Sequence, residues 1–105
     1  TLFSTGKEDF ITDGEKVYVM YNGTDMLGKI TASGCMLGSV IASFMAIQGN
    51  YLVAAIEGLA CYNIAGELAA EKSEGSGTFK QKLIDELFNI DAKKVFDRLK
   101  LKRLL

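Results

Sequence analysis

The residues best suited to chemistry in this chain are Thr31-Ala32-Ser33-Gly34-Cys35, a run of small side chains where a strand-like segment gives way to a long apolar stretch. With no bulk in the way, an anion can approach the backbone at the start of a helix. There the first N–H groups lack helical acceptors and the positive end of the helix dipole stabilises negative charge. Preorganised donors of that kind would stabilise charge on a phosphoryl group in transfer. The same pattern also serves simply to cap a helix and tighten a loop. Cys61 lies in mid-helix, where a cysteine is expected only to pack.

The elements that must position this run can be read on either side of it. Thr1-Leu2-Phe3-Ser4 reads as a strand broken by Thr5-Gly6. Phe10-Ile11 and Val17 to Tyr21 flank Asp13-Gly14, a pair that accepts positive φ and predicts a hairpin; Asn22-Gly23 offers a second such turn. A helix is expected from Gly34 to about Ile47. Apolar on all sides, it should occupy the middle of a layered structure. Asn50 is placed to cap a helix running to about Lys72, with Leu52, Ile56, Leu59, Tyr62 and Ala65 near one face and Gly58 and Gly66 permitting close packing. After Gly75-Ser76-Gly77, Thr78 to Gln81 has the form of a capping box opening a helix with Phe79, Leu83, Leu87 and Phe88 inward. Asp91 should cap a last helix ending in Lys100-Leu101-Lys102-Arg103, whose charges suit a helix C-terminus.

Composition narrows the function classes. The 105 residues are 49% hydrophobic and 24% charged, the profile of one ordinary globular unit. Twelve basic side chains nearly balance 13 acidic ones, so no overall field would draw the chain to nucleic acid or an anionic membrane. Small-molecule or protein partners are expected instead. With no histidine and two cysteines, a zinc site has almost no ligand supply, and a disulfide framework is not expected; a reducing, cytoplasmic setting fits. No charge occurs between Lys29 and Glu57, but glycines, serines and Gln48-Gly49-Asn50 interrupt that stretch short of the ~20 apolar residues a membrane helix needs. No secretory leader is expected at the N-terminus.

Several motifs together resemble hydroxyethylthiazole kinases, which carry a Thr-Gly-x-Gly-Cys motif before a long apolar helix, preceded by a Thr-Gly turn and a Thr-Asp-Gly hairpin. Here Thr5-Gly6, Thr12-Asp13-Gly14 and Thr31-x-Ser33-Gly34-Cys35 follow in that order. Ala65 to Lys72, the Gly75-x-Gly77-x-Phe79 loop and Leu87-Phe88-Asn89 extend the likeness over nearly the whole chain. Ala32 departs from the family, standing where the first glycine usually lies.

The resemblance implies a ribokinase-like three-layer α/β fold, with a central, largely parallel sheet and helices on both faces. Residues 1–105 would be the C-terminal portion of a single kinase domain, with a few strands and about four helices, and further strands would come from an upstream part. It implies that Thr5 and Gly6 lie against ATP, that Ala32 contacts substrate, and that Ala32, Ser33, Gly34 and Cys35 form the anion hole. Cys35 would be catalytic, in the place where related enzymes keep an aspartate base. The implied reaction is Mg2+-ATP-dependent phosphorylation of the hydroxyethyl group of 4-methyl-5-(2-hydroxyethyl)thiazole by a homotrimer, with the metal ligands unassigned. The alternatives are another ribokinase-like small-alcohol kinase and a non-catalytic nucleotide-binding or assembly fragment; a redox-sensing thiol ranks last, since Cys35 has no resolving cysteine nearby in sequence.

Overall fold

The computed structural model describes residues 2–4, 8–29 and 33–104. Its elements are β1 (Leu2–Ser4), β2 (Asp9–Thr12), β3 (Val17–Met20), a 3-10 turn (Asp25–Lys29), α1 (Ser33–Ile47), α2 (Tyr51–Lys72), α3 (Ser76–Asn89), α4 (Ala92–Arg98) and β4 (Leu101–Arg103).

The four strands form one sheet in the order β1-β2-β3-β4, with every neighbouring pair antiparallel. This segment therefore supplies an antiparallel part of the expected α/β fold, in keeping with the hairpin expected at Asp13-Gly14. The reason lies in the connections: β1 to β2 and β2 to β3 are joined by four residues each, whereas a parallel crossover needs a dozen or more. Between β2 and β3 the Asp13 carboxylate accepts from the backbone N–H of Glu15 at 2.9 Å and Lys16 at 2.8 Å, while Gly14 takes φ 99°. Those amides, Lys16's foremost, hold the Asp13 carboxyl below its ordinary pKa.

α2 is the centre of the structure. One side packs on the sheet through Leu52, Ala55, Leu59, Ala60 and Ile64 against Ile11 and Met20. The other packs on α3 through Tyr62, Ala65 and Ala69 against Phe79 and Leu83. Asn50 caps it as expected, accepting from the N–H of Leu52 and Val53. Among the described residues α2 is the one helix long and apolar enough to cross a membrane, and 67% of its apolar window is buried in the protein, as a core helix requires.

The glycines of α2 permit close approach. A Cβ on Gly58 would stand 2.8 Å from Ile41 Cα, and one on Gly66 would stand 3.0 Å from Leu27 Cδ1. Gly58 thereby seats α1 against α2. The expectation that α1 is the buried middle helix is not met: Ile41 is buried, but Gly38, Ser39, Ala42, Ser43, Ala46 and Ile47 are exposed.

Three further expectations are corrected. α3 starts at Ser76, two residues before Thr78, with Gly75 as N-cap and no side-chain cap, so the Thr78–Gln81 box is not used. On that helix Phe79 and Leu83 are fully buried, but Phe88 is 90% exposed. Nine residues at 3.6 per turn place it about 180° from Phe79. The basic run is a strand, not a helix end. α4, capped by Asp91 as expected, stops at Arg98, and β4 pairs with β3, placing Leu101 toward the core and Lys102 and Arg103 in solvent. Charge on an edge strand discourages pairing with another chain.

Candidate active site

Ser33, Gly34 and Cys35 form the first turn of α1. In a helix those positions carry N–H groups with no intrahelical acceptor, so the backbone there can receive an anion. Thr5, Gly6 and Ala32 lie outside the described residues. Ser4, which precedes Thr5 in sequence, pairs with Phe10 at one end of the β1–β2 ladder.

Cys61 is a free thiol, half-buried on α2. Burial, and then the Glu57 charge, pushes its pKa up, which disfavours the thiolate. It packs, as its mid-helix position predicts. No group of three or more His, Cys, Asp or Glu among the described residues could hold a metal ion.

Several polar side chains link the sheet to the helices, in contacts that the sequence analysis does not assign to them. Asn22 is buried: its amide donates to Glu67 Oε2 at 2.9 Å and to the Arg98 carbonyl at 2.8 Å, and its oxygen accepts from the Lys100 N–H at 2.6 Å. The Gly23 N–H also donates to Glu67 Oε2 at 2.8 Å. Asn22-Gly23 keeps the positive φ expected, 135° at Gly23, but fastens the end of β3 to α2 and to the entry of β4 instead of closing a hairpin. Arg98 adds an ion pair to Glu71 at 2.8 Å, and its hydrogen bond holds the Glu71 carboxyl below the ordinary glutamate range. Lys72 and the buried Glu86 pair across α2 and α3. Asn63 and Asp9 form a second buried contact, at 2.6 Å.

A signal for these residues was present. Asn63 lies four residues after Leu59 and seven after Ile56, on the apolar face of α2, and Asp9 alternates with Ile11 on the inward face of β2. Polar residues at apolar positions are the informative exceptions to burial.

The hydroxyethylthiazole kinase family model matches residues 1–93. The chain is 67% identical over 102 residues to the hydroxyethylthiazole kinase of Archaeoglobus fulgidus, covering 97% of this chain and 38% of that protein. With the enzyme of the same name from Methanosarcina mazei it shares 44% identity over 100 residues, 95% of this chain and 38% of the relative. The solved structure of a hydroxyethylthiazole kinase protein from Pyrococcus horikoshii OT3 superposes with a TM-score of 0.93 at 31% identity, covering 98% of this chain and 40% of that one. The chain thus spans well under half the length of these relatives, and it belongs to the hydroxyethylthiazole kinase family.

Proposed function

We propose that the protein carrying this segment transfers the γ-phosphoryl group of ATP to the primary alcohol of 4-methyl-5-(2-hydroxyethyl)thiazole, in the making or salvage of thiamine. The observation that carries this reading is family membership, together with a first helical turn made of Ser33, Gly34 and Cys35. Residues 1–105 are read as part of a single kinase domain. The exposed apolar side of α1 supports this, since an uncharged helix calls for cover from more protein than the chain contains.

The roles follow from chemistry. The N–H groups of the 32–35 segment stabilise charge on the transferring phosphoryl group, and Thr5 with Gly6 contacts the nucleotide. Cys35, its thiolate favoured by the helix N-terminus, takes the proton of the hydroxyethyl group. The freed oxygen bonds to the γ-phosphorus in line, the bond to the bridging oxygen breaks, and ADP leaves. Positioning and charge stabilisation supply most of the acceleration. Mg2+, where bound, neutralises phosphate charge, and magnesium usually relies on substrate phosphates with one or two carboxylates rather than an all-protein cage. Assembly as a cytoplasmic homotrimer belongs to the same reading and rests on the family resemblance. Ala32, in place of a glycine, favours a second reading in which a related small alcohol is the acceptor; a panel of alcohols separates the two.

The test is mass-spectrometric detection of thiazole phosphate after the longest natural form of the chain is mixed with Mg-ATP and the thiazole alcohol. Cys35→Ala and Cys35→Ser are run beside it. General acid–base catalysis contributes about 100-fold or more, so both variants should lose turnover on that scale while still binding ATP. Equal turnover in all three would remove Cys35 from the mechanism, and absence of product from a folded, ATP-binding protein would reject the thiazole as substrate.

A further inference from the structure

β3 would be an outer strand of the sheet if β4 did not lie along it. β3 is Val17-Tyr18-Val19-Met20, an uncharged run of β-branched, aromatic and long apolar side chains with neither proline nor glycine. Left uncovered, a strand of that composition is a template for pairing with another chain. β4 has the opposite character. It is three residues long, and its Lys102 and Arg103 are exposed. The register puts Val19 directly between Phe10 of β2 and Lys102 of β4, and Val19 is 1% exposed.

What fastens β4 is chiefly polar. No described residue of α4, the helix leading into it, is buried, and Val95 and Leu101 reach the core cluster only as partly buried side chains. Backbone bonds close both ends of the ladder: the Tyr21 N–H donates to the Lys100 carbonyl at 2.9 Å and the Leu104 N–H to the Val17 carbonyl at 2.7 Å. At the entry, the buried Asn22 accepts from the Lys100 N–H at 2.6 Å and donates to the Arg98 carbonyl at 2.8 Å. Arg98 ties the same segment to α2 through Glu71 at 2.8 Å and Glu67 at 3.5 Å. Such contacts can open locally while the core stays closed. The family model ends at residue 93, so the segment that supplies these partners lies beyond the part of the chain it matches.

We propose that residues 98–104 are a strap over a self-association edge: Asn22 fastens them along β3, and their release lets β3 pair edge to edge, antiparallel, with β3 of a second copy of the chain. Such a contact is isologous, so one pairing covers the open edge of both copies. A fastened strap keeps the copies from joining strand to strand. The inference is independent of the reaction assigned above.

The test compares the longest natural form of the chain with its Asn22→Ala and Lys102→Pro variants, by light-scattering mass over a range of concentrations and by amide hydrogen exchange. Asn22→Ala removes the anchor. Lys102→Pro leaves it in place and removes the strap's middle donor, because bonds at Tyr21 and Leu104 put the Lys102 N–H on the β3 side by the two-residue alternation of an antiparallel ladder. In either variant the Leu104 amide should exchange about tenfold faster or more, while that of the fully buried Ile64 stays within about twofold. A species larger than the wild-type assembly should then grow with concentration. Adding Tyr21→Pro, which takes an N–H from the β3 edge itself, should restore the wild-type mass. Faster exchange at Leu104 with unchanged mass overturns the proposal, as do unchanged exchange at Leu104, an equal rise at Ile64, or association that Tyr21→Pro does not reverse. Should Asn22→Ala not fold, Lys102→Pro, which lies outside the core, carries the test alone, and an unchanged mass overturns the proposal equally.

Discussion

α1 and α2 are adjacent helices with opposite fates. α1 has no charged residue, yet one side of it stands in solvent, including Ile47 at 89% exposure. α2 carries Glu57, Glu67, Glu71 and Lys72 and is nevertheless the helix enclosed on two sides, by the sheet and by α3. Apolar composition states that a helix calls for cover; topology decides which part of the chain provides it. For α2 the cover is present. α1 has it on one side, at the Gly58 seam and where Met36, Leu37 and Val40 meet the α2–α3 cluster, in a chain that spans 38% of the length of its Archaeoglobus relative.

The largest effect that can break this contrast comes from truncating one isoleucine on each helix. Ile64 on α2 is fully buried, and Ile64→Ala should cost about 2–5 kcal/mol through lost transfer energy and the cavity left behind. Ile47→Ala on α1 should change stability by less than about 0.5 kcal/mol, as substitutions on open surface do. Urea unfolding of the two variants measures both. A large loss at Ile47 would show that α1's outer side is covered in the protein as it exists in solution, and would bring the two helices back to one class.

Next in size are two glycines that sharpen the comparison along α1. Gly58→Ala puts a methyl group 2.8 Å from Ile41 Cα, a backbone atom that can yield only if α1 moves, so a loss of roughly 1–3 kcal/mol is expected. Nothing lies within 4 Å of a Cβ on Gly38, and Gly38→Ala should stabilise the helix by roughly 0.5–1 kcal/mol through its propensity. Opposite signs in thermal unfolding would confirm one close seam and one open side on the same helix. Two losses would mean that the open side is also packed.

The contrast also shows what could be read in the sequence. The hairpin at Asp13-Gly14, the caps at Asn50 and Asp91, the span of α2 and the close approach at Gly58 and Gly66 were all legible, because each follows from local stereochemistry or a repeating face. The exposure of α1, the outward Phe88 and the strand at Leu101–Arg103 were not, because each depends on a partner element distant in sequence. β4 shows this clearly. Three residues are too few to display a period, and they become a strand because β3 presents a free edge while Asn22 holds the Lys100 N–H. In the candidate site the small residues at 33–35 were visible as a motif; elsewhere the polar contacts of Asn22, read as a turn residue, depend on Glu67, Arg98 and Lys100, which are distant in sequence.

The smallest expected effect concerns the charged rim of α2 and leaves its core aside. Arg98 donates to Glu71 at 2.9 Å and lowers the pKa of that carboxyl. A group whose folded pKa lies below its unfolded value adds stability that is fully present above the unfolded value, about 4.3 for glutamate, and fades as pH falls through the folded one. The Glu71 side chain is 56% exposed, so solvent screens the pair and the gain should be at most roughly 0.5 kcal/mol. Wild-type protein and Glu71→Gln, compared by urea midpoint, should therefore differ slightly at pH 6, converge as pH drops below about 4, and differ less in 1 M salt than in 0.1 M. A difference that grows in acid would reverse the sign of this linkage and show that Arg98 does not stabilise the ionised form of Glu71 in solution; a difference insensitive to salt would place the pair in a less solvated setting, with α2's rim enclosed as its core is.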